Sequence, residues 1–94
     1  PTPLDEEVRG YYLRFRVRDR PGIIAELARL LAAADISIDA VLQEPSFDRQ
    51  DLPFVITTEP APRRAITQAL ESMSGLEFLV EPPLAMPLER GLGN

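Results

Sequence analysis

The sequence predicts an α+β sandwich, with two helices laid on one face of an antiparallel four-stranded sheet. Three observations predict it. Runs of apolar/polar alternation flank two runs of helical spacing, so the elements read β-α-β-β-α-β. The linking segments are rich in Pro, Gly and Asp, the residues that set turns. The chain has 94 residues, enough for one small domain that buries only roughly 60–65% of its unfolded surface.

Residues 1–10 are polar and Pro-containing and read as a linker arriving from an upstream region. The absence of a Met at the start fits a piece of a longer protein, or a processed one. From Tyr11 to Arg18 the pattern alternates. Leu13, Phe15 and Val17 take one face, and Tyr12, Arg14, Arg16 and Arg18 the other, as in a half-buried strand. A helix is predicted over Ile23 to Ala34. Ile24, Leu27, Leu31 and Ala34 form its apolar stripe, broadened by Ile23 and Leu30. After Asp35 a second strand follows. Ile36, Ile38, Ala40 and Leu42 share one face there, and Ser37, Asp39, Val41 and Gln43 the other.

Residues 45–51 form a polar connector. Leu52 to Thr58 is rich in β-branched residues and gives a third strand, with Pro53 at its start. Pro60 and Pro62 lead into a second helix marked by Ile66, Ala69, Leu70 and Met73, with Gly75 as its cap. Leu76, Phe78 and Val80 give the inward face of a last strand, which Glu81-Pro82-Pro83 stops. The domain therefore runs over 11–82, and 83–94 reads as a loose tail. This order is that of the ferredoxin-like plan, whose usual strand order is 4-1-3-2. Outward Arg14 and Arg16 then lie near outward Glu77 and Glu81, an opposite-charge arrangement on neighbouring strands.

Composition narrows the chemistry. The net charge of −5 and pI of about 4.6 disfavour nucleic acid as a partner. A face carrying Tyr12, Arg14 and Arg16 lacks the aromatic patterns of RNA-binding sheets. No apolar run approaches the ~20 residues of a membrane-spanning helix. There is no Cys, so thiol nucleophiles, disulfides and thiolate metal sites are excluded. With no His, the commonest neutral-pH base and metal ligand is absent. All 10 basic residues are Arg, which excludes a Schiff-base or phosphate-loop lysine. No catalytic residue, metal ligand or cofactor-binding residue is assigned, and no G-x-G-x-x-G loop occurs. The chain reads as a non-catalytic one.

The segment Asp19-Arg20-Pro21-Gly22-Ile23-Ile24 carries the most information. It joins the first strand to the first helix. Gly22 allows close approach to that turn. The free N–H groups and dipole of the helix start favour a carboxylate. Asp19 can balance an ammonium group, or act simply as the helix cap.

This strand–D-x-P-G–helix pattern, followed by Asp35-Ile36-Ser37-Ile38-Asp39-Ala40-Val41-Leu42-Gln43, resembles the ACT family of small-molecule-binding regulatory domains over roughly residues 11–80. The resemblance implies an amino-acid effector bound between two side-by-side copies. Asp19, Arg20, Gly22 and Ile23 would be loop contacts, and Ser37 would stand where several members carry Asn. The wording of residues 11–22, 37–43 and 52–58 is similar to the C-terminal regulatory region of the homoserine dehydrogenase family. That likeness implies threonine as effector, a homodimer, a cytoplasmic setting, and an NAD(P)-dependent catalytic region outside this chain. Aspartokinase and phosphoglycerate dehydrogenase are alternative parents, and a purely assembly-forming module is the remaining alternative.

Overall fold

The computed structural model describes residues 5–45 and 48–89. Ser46 and Phe47 of the connector, the start of the linker (1–4) and the end of the tail (90–94) lie outside them. In chain order the elements are β1 (Val8–Arg9), β2 (Tyr11–Val17), α1 (Ile23–Ala33), β3 (Ile38–Gln43), β4 (Leu52–Thr58), β5 (Ala61–Pro62), α2 (Arg63–Met73) and β6 (Leu84–Pro87). The main sheet has the order β3-β4-β2-β6, all antiparallel, which is the expected 4-1-3-2 arrangement.

Strict alternation makes β2 the centre of the core. Tyr11, Leu13, Phe15 and Val17 are buried and the residues between them are half-exposed. Phe15 faces Phe54 of β4 with ring centroids 5.1 Å apart, a stacked pair that fixes the register of the two central strands. Ile23, Leu27 and Leu31 of α1, and Ala65, Ile66, Ala69 and Met73 of α2, close over that face. Thr58, the only buried polar side chain among the described residues, accepts a hydrogen bond from the Tyr11 amide at 3.0 Å.

Several expectations need correction. The buried stripe of α1 starts from Ile23 rather than Ile24, which is 42% exposed. The helix ends in a Schellman motif. The Ile36 amide bonds to the Leu31 carbonyl at 3.0 Å and the Asp35 amide to that of Ala32 at 2.9 Å, with Asp35 at φ 61°. Ile36 is thus a buried cap contact, and β3 begins two residues later. At α2 the cap is Ser74 in right-handed geometry, and Gly75 does not take a positive φ.

The fourth strand is displaced. Residues 76–80 form turns rather than a strand and meet β2 at the isolated Val17–Leu79 bridge, with Phe78 buried. That bridge consists of two backbone bonds, Arg18 N–H to Phe78 O and Val80 N–H to Arg16 O, each 2.8 Å, which hold the stretch against the end of β2. Pro82 and Pro83 have no N–H to continue the ladder. Pairing resumes at Leu84, opposite Arg14, in a segment expected to be tail.

The incoming arm is also part of the fold rather than a plain linker. β1 pairs with β5. The carbonyls of Asp5 and Glu7 accept the Arg64 and Arg63 amides at 3.0 and 3.1 Å, so the arm caps the start of α2. Of the outward charge pairs expected across the sheet, Arg16–Glu81 forms at 2.8 Å. Glu77 pairs instead with Arg20, and Arg14 with Glu44.

Candidate functional site

A cleft of about 390 Å³ opens where α1 starts, between that helix and the far ends of β2, β3 and β4. Gly22 shapes its rim. It adopts φ 89°, ψ 0°, the left-handed region natural to glycine, and so turns the chain out of the β2–α1 loop into the helix. The first intrahelical bond runs from the Glu26 amide to the Gly22 carbonyl at 3.0 Å. The amides of Ile23, Ile24 and Ala25 precede it and have no acceptor within the helix. All three residues line the cleft.

The walls are mostly apolar: Val17, Ile23, Ile24, Val41, Leu52 and Phe54. The polar side chains are Asp19, Arg20 and Gln43. Arg20 stands over the Phe78 ring, 5.1 Å from its centroid, with Glu77 at 3.4 Å. Asp19 is engaged twice by the connector. Its carboxylate pairs with Arg49, and its amide bonds to the Arg49 carbonyl at 2.7 Å. The connector is itself braced. Asp48 closes a turn through the Gln50 amide at 2.9 Å, and Asp51 takes two hydrogen bonds from Arg16. Those bonds hold the Asp51 carboxyl below its ordinary range.

Four of the five residues singled out in the sequence, Asp19, Arg20, Gly22 and Ile23, meet at this cleft. Ser37 does not line it. It lies at the other end of β3, where its carbonyl accepts the Glu59 amide at 2.9 Å. The capping alternative for Asp19 is overturned, since the N-cap of α1 is Gly22 and no side chain caps that end.

Val41 and Gln43 are the residues that sequence reasoning missed. A bulge between Ile38 and Ala40 inserts one residue into β3 relative to β4. Beyond it the alternation is inverted. Val41 pairs with Ile56 and Gln43 with Phe54, both core-facing, so Val41 and Gln43 turn to the helix side. Leu42, expected inside, goes to the outer face and is 55% exposed. The period-two pattern of the segment carries no trace of that insertion.

Architecture and cleft together define a ferredoxin-like domain with a ligand-sized depression at the N-terminus of its first helix. Comparison with known proteins gives the family: the ACT domain profile matches residues 11–75, and the chain belongs to that family. It is 34% identical over 84 residues to a homoserine dehydrogenase of Neisseria gonorrhoeae, covering 89% of this chain and 19% of that protein. A homoserine dehydrogenase of Pseudomonas aeruginosa is 26% identical over 89 residues, covering 94% and 20% respectively. The chain thus spans about a fifth of the length of these curated relatives. The crystal structure of a homoserine dehydrogenase from Thiobacillus denitrificans superposes with a TM-score of 0.82 at 27% identity, over 94% of this chain and 19% of that one. The regulatory subunit of aspartate kinase from Thermus flavus shares the fold, with a TM-score of 0.62 at 21% identity, over 86% and 53%. Among the described residues no helix is long and apolar enough to cross a membrane.

Proposed function

We propose that this chain is the amino-acid-sensing regulatory domain of an NAD(P)-dependent homoserine dehydrogenase, with threonine as its effector, and that it performs no catalysis itself. The observation that carries the reading is the cleft at Gly22. It combines helix-start amides that have no acceptor within the helix, for a carboxylate, the Asp19 carboxylate for an ammonium group, and an apolar wall with Gln43 for a short side chain. The likeness to homoserine dehydrogenases supports the parent and, through it, the end-product effector.

The reading includes a second copy of the domain. β3 is an edge strand of the sheet, with Val41 and Leu42 exposed. An exposed apolar edge is a ready site for strand addition. Two β3 edges paired antiparallel about a two-fold axis set the start of one strand beside the end of the other. The second copy's Ser37 then approaches the Gln43 end of the first, which reconciles Ser37 with a site it does not line within one chain.

Isothermal titration against the twenty amino acids, with sedimentation at micromolar protein, tests this. Saturable binding of threonine and a dimer are expected. No binding at millimolar amino acid overturns the effector reading, and a clean monomer at a hundredfold higher protein concentration overturns the two-copy site.

A further inference from the structure

We infer that Arg49, together with Asp19, reads the zwitterion of the effector, making this residue of the β3–β4 connector a part of the binding site. This rests on the effector reading above and adds a residue that does not itself line the cleft.

Asp19 lines the cleft, and the Arg49 guanidinium sits against its carboxylate. The contact joins one oxygen, Oδ2, to one nitrogen, Nη1. A carboxylate has a second oxygen and a guanidinium five N–H donors, so the contact leaves both groups with further capacity. An α-amino acid carries its ammonium and carboxylate on one carbon. Its two charges are therefore adjacent, as the charges of a contact ion pair are. Such a ligand can place its ammonium on Asp19 and its carboxylate between Arg49 and the amides at the start of α1. The result is a closed ring of alternating charges, and the Asp19–Arg49 pair need not open. Charge-assisted hydrogen bonds of this kind are the strong ones.

The Arg49 backbone is also held beside the cleft. The side chain is 78% exposed, so the guanidinium is not committed to the core. The backbone, however, is fixed to the cleft loop by the 2.7 Å bond from the Asp19 amide. Two residues on, Asp51 is clamped to Arg16 of β2. The connector is thus anchored at Arg49 itself and again at Asp51, so the backbone that carries this cationic side chain is held beside Asp19. A surface ion pair made only for stability gains little and needs no such backbone tie.

The test uses L-threonine, L-serine, L-valine and L-isoleucine, each as the free amino acid and as the amide that lacks the carboxylate, titrated into the 94-residue chain. Arg49→Gln is expected to weaken the best-binding free amino acid about tenfold or more. It should leave the corresponding amide within about twofold, since the lost partner is the carboxylate. Asp19→Asn should weaken both forms. An equal loss for acid and amide in Arg49→Gln overturns the inference, because Arg49 then acts only by holding Asp19. No loss at all overturns it as well. Absence of any binding to the unsubstituted chain overturns the effector reading itself, and this inference with it. Thermal unfolding of Arg49→Gln within a degree or two of the parent would show that the fold is intact in these measurements.

Discussion

Arg16 Nη1 lies 2.8 Å from Glu81 Oε1, at the point where the edge of the sheet passes from the 78–80 turn to β6. The same guanidinium holds Asp51 through two hydrogen bonds. One outward residue of the central strand therefore joins the connector beside the cleft to the Pro82-Pro83 break on the opposite edge. The Arg16 guanidinium is held charged by both carboxylates, foremost by the hydrogen bond to Asp51.

That arrangement gives a pH signature. The Asp51 carboxyl is depressed in the folded chain, first by its hydrogen bond from Arg16. A depressed carboxyl contributes stability that is present above the unfolded value, about 3.9, and is lost as pH falls through the folded value. Asp51→Asn should lower the urea midpoint at pH 7, and the difference from the parent should shrink steadily below about pH 4. An undiminished difference at pH 2 would contradict the assignment.

Gly22 should resist substitution on backbone grounds alone. A Cβ built there meets nothing within 4 Å, so the cost comes from its φ of 89°. Gly22→Ala should destabilise by about 1–2 kcal/mol, and Gly22→Asn by less because Asn tolerates this region. Gly75→Ala, also without a neighbour and without positive φ, is the control and should be near neutral. Urea unfolding of the three variants measures this.

Asp35 offers the reverse case. It holds a left-handed cap position at φ 61°, and it places a negative charge at the C-terminal end of α1. Both are unfavourable. Asp35→Asn removes the charge and suits the cap, and should raise stability by about 0.5–1 kcal/mol. Asp35→Gly should also stabilise. A lower melting temperature for both variants would refute the cap analysis.

Removing residues 1–9 should loosen α2. The truncation takes away the Asp5 and Glu7 carbonyls from the first amides of the helix, the β1–β5 pairing, and the Arg9 hydrogen bond to the Leu88 carbonyl at 3.1 Å. A loss of about 1–3 kcal/mol is expected from these exposed hydrogen bonds. Faster amide exchange should be confined to residues 61–67 and β6. Unchanged exchange there would mean that the arm merely lies on the surface.

Gln43 should discriminate threonine from its isostere valine. It is the uncharged polar side chain in an otherwise apolar wall. Gln43→Leu should remove any preference for threonine over valine, reducing their affinity ratio by about tenfold. The free chain should show no saturable binding of NADPH, since it lacks a phosphate-cradling glycine loop and any lysine. Fluorescence titration checks the second point, and calorimetry the first.

Much of this protein was legible in its sequence because the signals are local. The alternation of residues 11–17 placed Leu13, Phe15 and Val17 in the core, the D-x-P-G run marked the turn at Gly22, and the succession of elements implied the strand order found. What needed the tertiary structure was pairing. A bulge exists only relative to the strand opposite, so the inversion that sends Val41 and Gln43 to the cleft and Leu42 outward cannot be read from β3 alone. The same holds at the other edge. Leu76 to Val80 has the better strand pattern. Yet β2 is covered along its length only if the chain crosses Pro82 and Pro83, which cannot donate to a ladder, and resumes pairing at Leu84. Periodicity records which way each side chain points along its own strand. Register and bulges are set by hydrogen bonds to a neighbour distant in sequence, and these decided which residues face the cleft.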